Sequence, residues 1–256
     1  MEFTLLGSGE AVDEERLREL YSYPDAHAAA HADPTRPLVR GNVIASLDGA
    51  ATTAGLSGGL GGAGDRKLFA LLRELADVIV VGAGTARAEN YGGARMTAAQ
   101  RERRRLRGQP EVPPIAVVTR SGVLGPDLPV LADREAPPLV LTCAAAATDT
   151  ATRVGSAVEV IDCSGADPEQ VDLRVALTRL TERGLARALT EGGPSLLGAF
   201  AERGLLDELC VTAAPMLVGG DAVRILAGGA ETPTPMRCRH VLTDPEGYLY
   251  LRYTSG

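Results

Sequence analysis

The stretch Asp77-Val78-Ile79-Val80-Val81 constrains the fold more than any other in the chain. An unbroken β-branched run of this length reads as a strand buried on both faces, the condition of a strand inside a parallel sheet. Parallel neighbours need long crossovers, so the rest of the chain should alternate strands with helices, and it does. Strand patterns recur at residues 38–46, 115–119, 139–143, 158–163, 186–189 and 206–214. Between them, residues 66–76 carry Leu68, Phe69, Leu72 and Leu75 on one helical stripe. Residues 168–184 carry Val171, Val175, Leu177 and Leu180, and residues 195–202 carry Leu196, Leu197 and Phe200. Two closing strands, 237–243 and 248–253, flank Asp244-Pro245-Glu246-Gly247, a hairpin signal. The expected fold is α/β, a mostly parallel central sheet with helices on both faces and an antiparallel C-terminal hairpin. Residues 1–37, with a helix over 13–21 and a covering loop over 26–37, are expected as an N-terminal extension packing on a single domain, 38–256.

Composition narrows the function classes. Aromatics are 4% and Trp is absent, so the core must be filled by Val, Leu, Ile and Ala. A formal net charge of −7 argues against nucleic acid and anionic membranes as partners. No apolar run reaches the roughly 18–20 residues that span a bilayer, and the N-terminus lacks a basic-then-apolar leader, which predicts a cytoplasmic protein. Cys143, Cys163, Cys210 and Cys238 are far apart and read as buried thiols. His27, His31 and His240 form no ligand cluster, and no metal role is expected. The Arg-rich helix over 97–107 reads as a solvated face.

Chemistry is expected where strands end. Gly82-Ala83-Gly84-Thr85, Thr119-Arg120-Ser121 and Glu191-Gly192-Gly193-Pro194-Ser195 each follow a strand pattern. Glycines let backbone approach a ligand without a Cβ in the way, and a helix start offers free N–H groups to phosphate. An Arg–Ser pair donates from guanidinium and hydroxyl to a phosphate monoester, which suits a dinucleotide carrying a 2′-phosphate. The acids near these ends are Asp48, Asp65, Glu89 and Glu191. Asp65, a helix cap or first-turn acid, can instead face an N–H-rich heterocycle. Glu191 would be repelled by a pyrophosphate beside it and so should turn to a substrate. Residues 50–64, rich in Gly, Ala, Thr and Ser, are too long for an ordinary connection and read as a lid or ligand loop.

Three motifs together resemble the reductase domain of riboflavin biosynthesis. They are Asn42-Val43-Ile44-Ala45-Ser46-Leu47-Asp48-Gly49, the stretch from Glu74 through Val81-Gly82-Ala83-Gly84-Thr85, and Thr190-Glu191-Gly192-Gly193-Pro194-Ser195-Leu196. That family is the C-terminal half of bifunctional deaminase/reductases, related in fold to dihydrofolate reductase. The likeness covers residue 38 onward and is strongest to stand-alone actinobacterial pyrimidine-reductase-like proteins. It implies an NADPH-dependent oxidoreductase that reduces 5-amino-6-(5-phosphoribosylamino)uracil to the ribitylamino product, by hydride transfer to ribose C1′. By the same resemblance Ala45, Leu60, Val81, Gly82, Gly84, Thr85, Gly192, Gly193, Pro194, Ser195 and Leu196 hold the cofactor, with Thr119, Arg120 and Ser121 near its 2′-phosphate. Ser57, Asp65, Arg66, Glu89, Arg95 and Glu191 lie on the substrate side, Asp65 and Glu191 as the catalytic acids. It further implies a homodimer and a cis peptide between Gly192 and Gly193. Two alternatives stay open: reduction of a dihydropteridine, in which Asp65 would bind the ring, and a non-catalytic NADPH-binding protein.

Overall fold

The structure is a computed structural model that describes residues 2–24, 33, 35–125, 127–133 and 135–255. His27, His31 and most of the expected covering loop lie outside the described residues. The chain is α/β, with parallel strands and a C-terminal antiparallel hairpin. It divides into two compact units, residues 1–24, 39–72 and 190–256 forming the first, and residues 25–38 and 73–189 the second.

In the first unit the strands run in the order β2 (Glu10–Val12), β1 (Phe3–Leu5), β10 (Met236–Thr243), β11 (Leu249–Ser255), β9 (Glu208–Ala214) and β3 (Leu38–Ser46). The first four contacts are antiparallel, and β3 pairs with β9 in parallel, Ala45 opposite Ala213. The turn between β10 and β11 is closed by Gly247 N–H to the Asp244 carbonyl, with Gly247 at φ +85°, where glycine carries no Cβ penalty. Two strands of three residues each, β1 and β2, precede the expected helix, in a stretch of the extension for which the sequence suggested no element. Strands this short carry no readable alternation; β1 is held by pairing with β10, and β2 by pairing with β1.

Helix α1 (Glu14–Tyr21) is capped by Asp13 and fastened at its C-terminal end by two arginines, Arg40 buried and Arg252 half-buried. Arg40, fully buried, donates to the Tyr21 carbonyl at 2.7 Å, and Arg252 donates to the carbonyl of Leu20. Both cations also meet Glu208, which accepts from Arg40 Nε at 2.7 Å and Arg252 Nη2 at 2.7 Å. Burial pushes the Glu208 carboxyl up, but the two guanidiniums overcome it and hold it below its usual value. Cationic side chains on the last carbonyls suit the negative end of the helix dipole.

In the second unit the order is β8 (Arg187–Thr190), β4 (Val78–Gly82), β5 (Ile115–Val118), β6 (Leu139–Thr142) and β7 (Glu159–Asp162). The pairs from β4 to β7 are parallel. Val78 to Val81 are at most 1% exposed, as the unbroken run required. Helices α3 (Ala83–Ala88), α4 (Ala98–Leu106), α5 (Ala144–Val154) and α6 (Leu173–Thr181) provide the crossovers. Helix α6 starts later than its pattern suggested, because Asp172 accepts from the N–H groups of Arg174 and Val175 and sets the cap there.

Two expectations are corrected. The Arg-rich helix is not a solvated face: Arg104 is 0% exposed and donates to the carbonyls of Glu74, Ala76 and Pro110, while Arg103 grips the Glu74 carboxylate with two bonds of 2.8 Å. Burial lowers the Arg104 guanidinium to about 10. Composition alone cannot tell an arginine that faces water from one that satisfies the last carbonyls of a neighbouring helix. Among the thiols, Cys143, Cys163 and Cys210 are buried but Cys238 is exposed, carried outward on β10 beside a register shift between Cys238 and His240.

Candidate active site

In the first unit, residues 47–62 form the irregular connection from β3 to α2 (Ala63–Leu75), and Asp65 lies in that helix's first turn. Asp65 is half-buried. Burial raises its carboxyl above the usual value, with the Thr212 hydroxyl and Arg66 pulling the other way. Thr212 Oγ1 is itself buried without a hydrogen-bond partner in good geometry. The hairpin closes around the same turn. Tyr248 donates to the Leu60 carbonyl at 3.0 Å, and Tyr250 donates to Asp244 Oδ2 at 2.6 Å. Asp244 is buried and accepts on its other oxygen from the N–H groups of Glu246 and Tyr248. Burial, then the Asp244 carboxylate, drives the Tyr250 phenol far above its ordinary range. The approach is close enough to demand glycine: a Cβ on Gly64 would stand 2.2 Å from Tyr250 Oη, and one on Gly62 would stand 2.8 Å from the Tyr248 ring.

At the other end of the same connection stands Asp48. Its carboxylate accepts from the Ser46 hydroxyl at 2.5 Å, the Gly219 N–H at 2.7 Å and the Val218 N–H at 3.1 Å. Those donors, the Ser46 hydroxyl first, lower it to about 2. Asp48 is therefore an anchor between two loops and not an acid waiting at the sheet edge. Beside it Leu47 N–H bonds to the Met216 carbonyl and Ala51 N–H to the Val223 carbonyl.

The glycine turn follows β8. Thr190 is buried, Gly192 takes φ +90°, and Gly193 caps helix α7 (Pro194–Glu202), whose first residue is Pro194. The described backbone contains no cis peptide, so the Gly192–Gly193 bond is trans; the positive φ at Gly192 makes the turn instead. A Cβ on Gly192 would meet nothing within 4 Å, which leaves open space over the turn. Glu191 and Leu196 are half-buried and Ser195 is exposed. Ala227 N–H bonds to the Pro194 carbonyl at 3.1 Å, and the Ala227 carbonyl presses against Gly198, where a Cβ would come within 2.6 Å. Of the other residues named from the sequence, Ala45 and Ser57 are half-buried, Arg66 is exposed, and Leu60 is wholly buried.

In the second unit the strand register sets Gly82 opposite Val118, which brings Gly82-Ala83-Gly84-Thr85 beside Thr119-Arg120-Ser121. Val81 is buried, Thr85 and Glu89 are half-buried, and Gly84, Arg95, Arg120 and Ser121 are exposed. A Cβ on Gly84 would again meet nothing. The segment after β5 is stiffened from behind. Thr119 Oγ1 accepts from Gly122 N–H, Arg153 donates to the Gly122 carbonyl at 2.7 Å, and Arg87 donates to the Val123 carbonyl at 3.2 Å. The Arg120 carbonyl accepts from the Cys143 thiol.

Within each unit, taken by itself, open glycine backbone follows a strand, and in the second an exposed guanidinium and hydroxyl lie beside it, donors of the kind a phosphate accepts. Among the described residues no group of three His, Cys, Asp or Glu is placed to hold a metal ion, and no helix is long and apolar enough to cross a membrane. Sequence reasoning missed Thr212, Asp244, Tyr248 and Tyr250 around Asp65. The signal for the tyrosines was present: residues i and i+2 after a hairpin turn share one face of the strand.

The family model of the RibD C-terminal domain matches residues 37–250. The 2,5-diamino-6-ribosylamino-4(3H)-pyrimidinone 5′-phosphate reductase of Methanothermobacter thermautotrophicus is 32% identical over 194 residues, covering 76% of this chain and 85% of that protein. The riboflavin biosynthesis protein RibD of Bacillus amyloliquefaciens is 29% identical over 199 residues, 75% of this chain but 49% of that longer protein. Among solved structures, a pyrimidine reductase-like protein of Corynebacterium diphtheriae superimposes with a TM-score of 0.77 at 27% identity, over 94% of this chain and 98% of that one. The motifs, the α/β fold and these likenesses agree, and the chain belongs to the RibD C-terminal domain family of riboflavin-pathway reductases.

Proposed function

We propose that this protein is an NADPH-dependent reductase of a 6-(5-phosphoribosylamino)pyrimidine, converting the ribosyl group to ribityl. The substrate we assign is 5-amino-6-(5-phosphoribosylamino)uracil. The 2,5-diaminopyrimidinone phosphate for which the M. thermautotrophicus relative is named is the compound to test beside it. One observation supports the reading above the others: a half-buried carboxylate, Asp65, in the first turn of α2 beneath the closing hairpin, whose carboxyl burial raises. NADPH, when bound, supplies the hydride. The chain's part is to hold both reactants and to manage the proton.

In this assignment the Gly192–Leu196 turn and Gly82, Gly84 and Thr85 give backbone N–H groups to the cofactor phosphates, and Arg120 with Ser121 receives the 2′-phosphate. Ala45, Leu60 and Val81 contribute packing and Thr119 orders the Arg120 segment. Asp65 faces the base. As a carboxylate it accepts from ring N–H groups; when protonated it can also donate, so one side chain can serve binding and proton delivery. Glu191 turns toward the sugar as acceptor or proton donor. Ser57, Arg66, Glu89 and Arg95 are assigned to the substrate, the cations to its phosphate.

The test is loss of NADPH absorbance with a panel of the uracil phosphate, the diaminopyrimidinone phosphate and dihydrofolate, repeated with NADH. Oxidation with a pyrimidine phosphate and preference for NADPH are expected. Turnover of dihydrofolate alone would replace the assignment with a pteridine reductase, and tight NADPH binding without turnover of any of them would make the protein a cofactor-binding protein.

A further inference from the structure

Two loops of the first unit are knitted together by bonds that no role in substrate or cofactor contact requires. Residues 47–57 follow β3, and residues 215–227 follow β9, its parallel neighbour. Ladder-like backbone bonds join them at Leu47 to Met216 and at Ala51 to Val223, 2.9 and 2.8 Å. Between those two bonds sits the Asp48 carboxylate, taking the N–H groups of Val218 and Gly219 on one side and the Ser46 hydroxyl on the other. The second loop then continues to Ala227, whose N–H bonds to the Pro194 carbonyl and whose carbonyl fills the space a side chain would need at Gly198. A continuous path therefore runs from the glycine turn that opens α7, through residues 215–227, to the connection that carries Ser57.

We infer that Asp48 is a positioning residue that transmits cofactor occupancy at the Gly192–Leu196 turn to the substrate-side loop at residues 48–57. This rests on the assignment of that turn to NADPH. The bonds around Asp48 are exposed to water, and exposed hydrogen bonds on an irregular loop open at low free energy. A ligand that steadies the α7 end of residues 215–227 lowers the freedom of that strap. Through the two backbone N–H groups, of Val218 and Gly219, that it gives to the Asp48 carboxylate, the strap also lowers the freedom of residues 48–57. By linkage, a substrate that orders residues 48–57 then tightens NADPH by the same factor. The two reactants are expected to bind with positive cooperativity, although neither touches Asp48. Asn is a poor replacement, since its amide nitrogen turns a donor toward backbone N–H donors.

Hydrogen–deuterium exchange of the full-length protein, with and without NADPH, tests this in the wild type, in Asp48→Asn and in Asp48→Ala. In the wild type NADPH should slow exchange in peptides covering residues 192–198 and, as a second zone, residues 48–57. In either variant protection at residues 192–198 should persist, while that at residues 48–57 should fall by about tenfold, the scale of one charge-assisted hydrogen bond. The KM for the pyrimidine phosphate should rise by a similar factor with kcat nearly unchanged. Protection at residues 48–57 that survives both variants would mean direct contact and would overturn the inference. So would faster exchange spread over β9 and β11, which a merely structural role predicts. Wild-type protein that shows no protection at residues 192–198 would instead remove the cofactor assignment, a failure readable apart from the other.

Discussion

Asp48 and Asp65 stand at the two ends of one glycine-rich connection and have opposite electrostatic fates. Asp48 is exposed and surrounded by donors, and its carboxyl falls to about 2. Asp65 is half-buried with a single hydroxyl and Arg66 to oppose the burial, and its carboxyl rises. Burial disfavours charge and donors favour it, so accessibility alone would have ranked the two the wrong way for chemistry. The saturated acid holds loops in register. The under-solvated acid is the one that keeps its proton to higher pH than an ordinary carboxyl, the direction that suits a general acid. If this division is right, the same substitution at the two positions must act with opposite signs.

The largest effect is expected from Asp65→Asn. Loss of the proton-bearing carboxyl should lower kcat roughly a hundredfold, within the usual range for removing a general acid. The melting temperature should rise, because Asn removes a charge that burial penalises. The pH dependence fixes the sign. A carboxyl raised in the fold is stabilising relative to Asn only where it is protonated, below its unfolded value of 3.8, and that advantage is lost as pH rises through the folded value. Thermal unfolding of wild type and variant should therefore diverge toward neutral pH and converge in acid. A variant that melts lower at pH 7 would show that Asp65 is held by partners as Asp48 is, and the comparison would collapse.

Asp48→Asn should do the reverse, with a smaller effect. Its folded pKa is depressed, so its contribution is present above the unfolded value of 3.8 and lost only as pH falls through about 2. At pH 7 the variant should melt lower than wild type, with kcat within about twofold, since Asp48 moves no proton in the proposed reaction. Thermal melts beside steady-state kinetics decide it: a hundredfold loss of kcat at unchanged melting temperature would move Asp48 into the chemistry.

Much of this was legible in the sequence, and the illegible parts share a cause. Val78 to Val81 announced a buried parallel strand, and Asp244-Pro245-Glu246-Gly247 announced the hairpin, because both signals are local: an unbroken apolar run and a turn with a glycine at positive φ. The three motif ends were found for the same reason. What could not be read was which partner a polar side chain would meet across the fold. Arg104 looks like any surface arginine until the carbonyls of Glu74 and Ala76 are placed beside it. Asp48 looks like a turn aspartate until residues 218 and 219, some 170 positions away, arrive with their N–H groups. Tyr250 and Asp244 are close in sequence, yet their closeness to Gly64 is wholly tertiary.

That tertiary closeness gives the narrowest test, at one glycine in the first turn of α2 and one in the connection before it. Gly64 lies inside α2, where intrinsic propensity favours Ala over Gly by about 1 kcal/mol. Propensity alone therefore predicts that Gly64→Ala stabilises. The structure predicts the opposite, because the new Cβ would come within 2.2 Å of Tyr250 Oη and 2.7 Å of Asp244 Oδ2, both buried and bonded to each other. Relief requires parting that bond or lifting the first turn of α2, a cost of about 1–3 kcal/mol for overpacking, read as a lower denaturation midpoint. Gly58 is the control: it has an ordinary φ and nothing within 4 Å of its Cβ position, so Gly58→Ala should leave stability within about 0.5 kcal/mol. Equal behaviour of the two would mean that the Asp65 turn is no more tightly enclosed than the loop before it. The raised pKa of Asp65 would then lose its physical cause, since burial against the hairpin is what separates it from Asp48.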